Sequence, residues 1–305
     1  MKFIRFSLIA AAFSSAVVSH ADVTSDAVAL SRWFSQELAN ATAVNAAASP
    51  QLPGDVHSVL GVELGVSMAV SASTLDLDAL DNLPLTDLNT STVDMMSRLP
   101  IPLPVIHAKI GVPMGFDMGV KFGKFKFDNT DGVKKSEVAN QVFGLEVRRR
   151  LMGEGATGVL LPDVSLGLAY DVANGHASLD DRYDANLNLP GGAAASSDLA
   201  WDTDWRTSAL TLRAVASKQL AIVTPYVGLG YTHLMGDAKT RLAIQETGNA
   251  ANATAGAASA DADGDLVQVT GGVQLAFLPT LKMNLGGMWS PDHFAGTLGL
   301  QFNFR

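Results

Sequence analysis

The sequence predicts an all-β chain: an antiparallel, transmembrane, up-and-down β-barrel of about ten strands, with twelve possible, preceded by an N-terminal amphipathic helix. Segments of about ten residues alternate apolar and polar side chains, long and short connections between them alternate, and aromatic residues concentrate at segment ends. The chain has 305 residues, no cysteine and a formal net charge of −9. An acidic chain is a poor partner for nucleic acid, so the sequence excludes that class.

The first 21 residues predict a secretory signal peptide. Lys2 and Arg5 form a positive region, an apolar run follows over residues 6–18, and Ser19 and Ala21 place small side chains before a cleavage point at Asp22. A transmembrane anchor is the alternative, but the apolar run is short for a bilayer. The mature chain is therefore expected to begin at residue 22.

Residues 22–54 predict an N-terminal helical segment. Over residues 24–47 the apolar side chains Ala27, Leu30, Phe34 and Leu38 recur at helical spacing, and prolines at 50 and 53 follow. Its location stays open between the periplasm and a plug in the lumen. A helix with its side chains is about 10 Å wide and would crowd a ten-stranded barrel, so a plug would favour twelve strands.

From residue 55 to residue 305 the apolar period changes to two, as where Leu64 and Val66 alternate with Glu63 and Gly65. Strands are predicted near 56–71, 104–111, 115–127, 138–150, 159–171, 205–217, 221–235, 264–277, 281–289 and 294–304. The long connections are 72–103, 128–137, 172–204 and 236–263. Short periplasmic turns and long outer loops are typical of transmembrane barrels, and an even strand number is expected to leave both termini in the periplasm.

Aromatic residues are expected to form girdles at the two membrane interfaces, where their rings are most favourable. A soluble β-sandwich also alternates apolar and polar residues, but it has no reason to sort its aromatic residues to strand ends. The residues predicted at the interfaces are Phe125, Tyr170, Trp205, Tyr231, Phe277, Trp289, Phe294, Phe302 and Phe304.

The leader, the repeated alternating strands and the final segment Gly296–Phe304 together resemble Gram-negative outer-membrane β-barrel proteins, in particular the porin-like class. Such proteins usually end on an aromatic residue, whereas here Arg305 follows Phe304. The resemblance implies a location in the outer membrane, contact with its lipid and lipopolysaccharide, and the barrel-assembly machinery as a partner during biogenesis. It identifies no single family.

The predicted inner face is rich in glycine and other small residues, which indicates space for water, a solute or the chain itself. Our leading hypothesis from the sequence is therefore a narrow channel or passive transporter for small solutes. A closed barrel, in which glycine only eases strand curvature, is the alternative. Charged residues on this face could select solutes or form salt bridges that close the lumen: Glu63, His107, Lys109, Asp117, Lys121, Glu146, Arg148 and Arg213.

The long loops are acidic and suggest a second function, a structural or adhesin-like barrel that acts through its extracellular loops. Asp261, Asp263 and Asp265 resemble the start of a calcium loop, although the later glutamate is absent. Asp204 and His233 are expected to lie near each other on the outer rim, where such a pair could activate water. No nucleophile is fixed beside them, so the sequence predicts neither an enzyme nor a cofactor.

Overall fold

The computed structural model describes residues 20–304 apart from residues 49, 58, 85–96, 132–133, 154–160, 189–193, 247–248 and 263. It contains a long helix, α1 (His20–Ala47), and a short helix, α2 (Leu77–Asp81). The strands are β1 (Val62–Thr74), β2 (Arg98–Val112), β3 (Phe116–Asp131), β4 (Lys134–Met152), β5 (Asp163–Asn188), β6 (Ala194–Ser217), β7 (Val223–Glu246), β8 (Asn249–Asp261), β9 (Gly264–Leu278), β10 (Leu281–Ser290) and β11 (His293–Phe304). No helix among the described residues is both long enough and apolar enough to cross a membrane.

Ten of the strands form a closed antiparallel ring. The ring runs β6-β5-β4-β3-β2-β1-β11-β10-β9-β7, and a ladder between β6 and β7 joins its two ends. The eleventh strand, β8, continues the line of β9 along the second half of β7 and lies outside the ring. The prediction of an antiparallel barrel of about ten strands is confirmed.

The two ends of the barrel differ. At one end, which we call the short-turn end, tight connections such as Pro113–Gly115 join consecutive strands, and β11 finishes at Phe304. At the opposite, long-strand end, β5, β6 and β7 extend to between 24 and 26 residues, whereas β10 has only 10. We call the projecting part the wall: residues 174–180 of β5, 200–206 of β6, 237–243 of β7 and 255–261 of β8.

The wall corrects the predicted loops at 172–204 and 236–263, much of which is strand. The alternation continues there, but its outward side chains are polar, such as His176 and Asp204, and its inward ones are often small. A pattern search for lipid-facing apolar residues ends where the lipid ends, although the sheet and its hydrogen bonds continue. Loop length was therefore overestimated.

The outward face of the ring is apolar and the inward face is polar. On β1, Leu64, Val66, Met68 and Val70 are between 44 and 50% exposed, whereas the alternating residues Glu63 and Ala69 are buried. An exposed apolar band around a closed barrel is the arrangement expected of strands in lipid. The fold thus points to the Gram-negative outer membrane.

Helix α1 lies inside this barrel and against the inner side of the wall. Its buried residues Leu38 and Val44 share an apolar core with Leu179, Trp201 and Leu242 of the wall strands. On its other side, Trp33 packs against Leu75 and Leu80, next to α2. The helix is therefore held between the wall and the connection from β1 to β2.

A helix in a ten-stranded barrel contradicts the expectation that such a helix would need twelve strands. Between residues 39 and 48 the helix and its end carry mainly alanine, and Ala46 packs directly on Ala69 and Ala173 of the strands. Alanine on both surfaces lets the backbones approach closely, so that a helix with small side chains fits inside a ring of ten strands.

The expectation that both termini lie at one end of the barrel is wrong for the described residues. The amino-terminal part of α1 lies at the wall, where the backbone of Ala27 contacts Gly256 of β8. The last described residue, Phe304, pairs with Val62 at the short-turn end. An even number of strands fixes where β1 starts and β11 ends, but it does not fix where the chain before β1 runs.

Candidate functional site

The candidate site is the lumen, and the protein's own N-terminal region fills it. From the wall, α1 runs towards the short-turn end as far as Ala47, and residues 50–57, which have no regular secondary structure, continue along the same path to β1. We call this stretch the lumen segment. Its residues form hydrogen bonds or ion pairs with the inward side chains of β1, β3, β6, β7, β10 and β11.

Small hydroxyl and amide side chains hold α1 in the upper lumen. The Ser35 hydroxyl donates to Thr240 Oγ1 at 2.8 Å, and the hydroxyls of Thr42 and Thr207 lie 3.1 Å apart. Asn45 Nδ2 donates to the hydroxyl of Ser71 at 2.8 Å and to a strand carbonyl at 2.9 Å. Buried polar groups must find partners, so these contacts fix both the rotation and the depth of the helix.

An inward-facing lysine of β3 caps the carboxyl end of α1. Lys121 Nζ donates to the carbonyl of Ala46 at 2.6 Å and lies 2.9 Å from Asp171 Oδ1. A cation at the end of a helix, where carbonyls lack intrahelical partners, is electrostatically favourable. The Lys121–Asp171 pair passes over Gly144, where any Cβ would overlap both side chains.

Gln51 is the anchor of the lumen segment. Its carbonyl accepts hydrogen bonds from Tyr226 Oη at 3.1 Å and from Asn284 Nδ2 at 2.5 Å, and its side-chain oxygen accepts one from Arg213 at 2.7 Å. These partners come from β7, β10 and β6, which lie on one side of the ring. The segment is therefore bound by its backbone as well as by its side chain.

The last part of the lumen segment meets the opposite side of the ring. Arg148 donates to the carbonyl of Pro53 at 2.8 Å and pairs with Asp117 at 2.6 Å. His57 lies between Asp117, at 3.3 Å, and Glu63, at 3.5 Å, and also contacts Asn303 at 3.1 Å. A single imidazole thus joins β3, β1 and β11 just before the chain enters β1.

All eight charged residues predicted on the inner face lie there in the structure. Seven of them pair with another member of the set, whereas Lys121 pairs with Asp171. Lys109 and Arg213 both pair with Glu146, at 2.5 and 2.8 Å, and His107 lies 3.4 Å from Glu63. The two hypotheses for these charges were a selective constriction and closing salt bridges. The paired arrangement around an occupied lumen is that of closing salt bridges.

The glycines that suggested an open lumen are covered by side chains from neighbouring strands. The His107 ring lies over Gly65, and the Tyr226 hydroxyl lies over Gly286 and Gly272. Outside that predicted set, the Trp205 ring lies over Gly175. A Cβ at any of these positions would overlap the covering group. The missing volume on the inner face is thus used by the chain itself.

A small cavity remains below the end of α1. It lies between Ala47 and the charged residues Lys109, Lys121, Glu146 and Arg213. It has room for on the order of one or two ordered water molecules, far less than a solute path requires.

The predicted interface aromatics divide into two groups. Seven are exposed on the outward face: Tyr170, Tyr231, Phe277, Trp289, Phe294, Phe302 and Phe304. The prediction for Trp205 is wrong, since this side chain is only 5% exposed and its indole donates to Asn140 Oδ1 in the lumen. Phe125 is wrong as well, because it pairs across the sheet with the inward-facing Asn140. In both cases the predicted face was wrong. Trp205 also lies well inside β6 rather than at its end, since that strand begins at Ala194.

The predicted Asp204–His233 pair does not form. Asp204 lies 3.1 Å from His176, whereas His233 lies 2.8 Å from Asp265. The ladder explains the difference, since His233 is opposite Leu210 and Asp204 is opposite Lys239. Both histidine–carboxylate pairs face outward on the barrel surface, and their side chains are between 36 and 56% exposed.

The calcium candidates do not come together among the described residues. Asp265 is engaged by His233, Asp261 ends β8, and Asp263 is outside the described residues. The described residues that do approach one another in a metal-like group are His176, Asp202 and Asp204. Arg241 pairs with both of these aspartates, at 3.0 and 3.5 Å, and so takes the place that a cation would need.

The lumen segment as such was not predicted, because the sequence left open only whether the N-terminal segment plugs the lumen. Residues 50–57 have no periodicity, and two prolines and a glycine in them indicate only an irregular connection. One signal was available, which is the excess of inward-facing charge and amide groups that needed partners in a lumen without one.

A family model, described as "Family of unknown function (DUF6588)", matches residues 86–304. The chain belongs to this family. The match takes in β2 to β11, and it begins after α1, the lumen segment and β1. No curated protein matches the chain in sequence.

Solved structures of outer-membrane proteins are similar in fold. The protease OmpT from Escherichia coli has 9% identity and a TM-score of 0.40, with 80% of this chain and 96% of that chain covered. The translocator domain of the autotransporter NalP from Neisseria meningitidis has 8% identity and a TM-score of 0.37, with coverages of 81% and 90%. The toluene transporter TbuX from Ralstonia pickettii has 9% identity and a TM-score of 0.33, with coverages of 83% and 91%. These likenesses concern the fold alone.

Proposed function

We propose that this protein is a closed outer-membrane barrel that works by binding at the cell surface through its wall. The observation that supports this most is the lumen itself, which α1 and the lumen segment occupy from the wall to the short-turn end. Long strands and loops face the exterior in barrels of this class, so the wall would face the surroundings. The proposal includes export by a leader over residues 1–21, insertion by the barrel-assembly machinery, and lipid and lipopolysaccharide around the outward band.

The cost of emptying the lumen supports the closed state. Withdrawing the N-terminal region would break the hydrogen bonds of Ser35, Thr42, Asn45 and Gln51. Each is worth about 0.5–1.5 kcal/mol net, and leaving a buried partner unsatisfied costs about 1–3 kcal/mol. The apolar core around Leu38 would also be exposed. Together these terms make the filled barrel the dominant population.

The outward side of the wall supports a surface role. It lies beyond the apolar band and carries side chains of both charges, including His176, Asp202, Asp204 and Arg241. Arg241 is 53% exposed and Asp204 55% exposed. The wall is also rigid for a surface feature, since α1 fills its concave side. A rigid, polar surface is suited to recognition of an external partner.

A disulfide lock tests the proposal. Thr42 and Thr207 hold their hydroxyls 3.1 Å apart, and the chain has no cysteine, so Thr42→Cys with Thr207→Cys would fix α1 to β6. We expect no current steps from the wild type or the oxidised variant in planar bilayers. Cells that display the wild type and cells that display the oxidised variant should be retained equally on a panel of immobilised polypeptides. Cells that lack the protein provide the baseline for retention. Thr42→Cys alone is the matched control.

A gated channel for small solutes is the second candidate. The charged cavity below Ala47 favours it, because a path could open there if the lumen segment moved aside. A channel of this kind predicts solute uptake into liposomes by the wild type, loss of uptake on oxidation of the double-cysteine variant, and recovery on reduction. That set of results would replace the surface-binding proposal.

A further inference from the structure

Strand β8 has an open edge. Among the described residues, every other strand has a ladder on both sides, whereas β8 pairs only with β7. On its other side the next strands round the barrel, β10 and β11, already turn at Ser290 and His293. The described part of the chain therefore places no strand beside residues 253–261.

The backbone groups on this edge can be assigned. The amide of Ala262 donates to the carbonyl of Gly236 at 2.7 Å, so Ala262 points towards β7. Direction alternates along an antiparallel strand, and Ala255, Ala257 and Ser259 therefore direct their N–H and C=O groups to the open side. Gln36 of α1 donates to the carbonyl of Asp261 at 2.9 Å, which agrees with that direction and covers the end of the edge.

The edge lacks the features that usually prevent strand pairing. Proteins protect edges with proline, inward charges, lysine or bulges. Here the register with β7 is unbroken from Ala253 to Asp261, and the exposed side chains at 255, 257 and 259 are alanine or serine. The concave side is closed, since Gly256 rests on the backbone of Ala27. Within the described part of the chain, the edge and the convex side of β8 remain accessible, and the side chains at 255, 257 and 259 are exposed.

We propose that the open edge of β8 binds an extended polypeptide segment of another protein by strand addition, which deepens the proposed surface-binding role and rests on it. A row of free N–H and C=O groups at strand spacing matches an extended backbone. The small side chains of Ala255 and Ala257 leave room for large partner side chains opposite them. Asp261, exposed at one end, favours a basic residue at that end of the partner.

A second copy of this chain fits the edge less well. Copies in one membrane share their orientation, so a two-fold axis between them runs along the membrane normal. Strands in such barrels tilt by about 35–45°, and that axis would make two β8 strands cross at about 70–90° rather than lie side by side. A partner whose segment can orient freely has no such restriction.

A labelled peptide with the sequence of residues 237–245, the part of β7 that pairs with β8, is the probe for this edge. We expect saturable binding to the full-length protein in detergent micelles. Ala257→Pro removes an edge N–H and should weaken binding by about tenfold. Ala257→Ser keeps the N–H and should bind like the wild type. Equal binding to the proline variant, or no binding to the wild type, overturns the proposal.

Hydrogen exchange makes the test independent of that variant's folding. In the free protein the edge amides of Ala255, Ala257 and Ser259 should exchange faster than those of Gly256 and Ala258, which face β7. The peptide should slow only the first set. Edge amides already protected in the free protein, or a dimer that Ala257→Pro dissociates, would show that the chain or its copy covers the edge and would overturn the proposal. In that case the proposed function would still be supported if planar bilayers showed no current steps and if cells with the disulfide-locked variant were retained as well as cells with the wild type.

Discussion

At the scale of single residues, glycines on the inner face of the strands decide how closely α1 and its contacts can approach the sheet. Gly144 lies under the Lys121–Asp171 pair, and Gly256 lies under the backbone of Ala27. In each case the atom that a Cβ would meet belongs to a contact that holds α1. Glycine here is needed for close approach, because each of these contacts lies where a side chain would begin.

Gly144→Ala is expected to displace the Lys121–Asp171 pair and release the carbonyl of Ala46 from its lysine. Overpacking of this kind costs about 1–3 kcal/mol, which should lower the temperature at which the refolded protein loses its folded mobility on a gel. Gly296→Ala is the control, since the nearest atom to its Cβ would be 3.9 Å away. Equal effects of the two substitutions would refute the role given to Gly144.

Glu37 makes the attachment of α1 sensitive to pH. Its carboxylate accepts a hydrogen bond from the amide of Asp76 at 3.2 Å. Burial, together with the charges of Asp76 and Asp292, raises the pKa of Glu37 above its ordinary value of 4.5. The folded state therefore binds this proton more tightly than the unfolded state, and its stabilising effect is lost as pH rises from 4.5 through the raised pKa.

Glu37→Gln should remove this dependence. As pH rises above 4.5, the melting temperature of the wild type should fall relative to that of the variant, whereas below that pH the difference should be small. Thermal melts between about pH 4 and pH 8 provide the measurement. A constant difference across this range would show that Glu37 does not titrate in the folded protein.

Residue faces were only partly predictable from the sequence. Where apolar side chains alternate strictly, as on β1, the inward and outward residues follow directly, and so the eight lumen charges were placed correctly. Trp205 and Phe125 were misplaced because an aromatic ring at a strand end suggests a membrane interface, whereas both fall on inward positions of the strand. The parity of the position was the better guide than the type of residue.

At the scale of elements, α1 fits the lumen because it is narrow. Ala39, Ala41, Ala43 and Ala46 are all fully buried. The helix therefore has little freedom to accept a larger side chain, and its packing is specific to this barrel.

Ala43→Leu should lift α1 from the wall. The added volume has no space to fill, which costs about 1–3 kcal/mol and should expose the helix to protease in folded micelles. Arg32→Ala, at an exposed position of the same helix, should leave the cleavage rate unchanged. Resistance of Ala43→Leu to protease would mean that the helix can shift to accommodate leucine.

The helix and most strands were predictable as elements, because each has a clear period. The lumen segment was not predictable, since a stretch without regular secondary structure has no period to detect. The length of the wall was missed for a related reason. An alternating sequence pattern reflects what surrounds each face of a strand. On the wall the outer face meets water instead of lipid, and the inner face packs against α1, so the pattern differs from that of the membrane band.

At the scale of the whole molecule, the chain runs through the lumen from the wall to the short-turn end before its first strand begins. Cysteine labelling can test this, because the protein has no cysteine of its own. Ser25→Cys, at the exposed start of α1, should react with a membrane-impermeant maleimide on intact cells. Thr280→Cys, in the turn between β9 and β10, should react only after the outer membrane is permeabilised. Labelling of both, or of neither, on intact cells would contradict the topology.

The pairing of Val62 with Phe304 has a consequence for how the protein is made. These residues join the first and last strands, so the ring cannot close until the whole chain is present. By then residues 20–47 are present as well, and in the folded protein the half of α1 with Trp33 and Phe34 carries larger side chains than the narrow level where Ala46 packs on Ala69. We expect the sheet to close around the helix during assembly, so that the N-terminal region acts as a template that sets the diameter of the barrel.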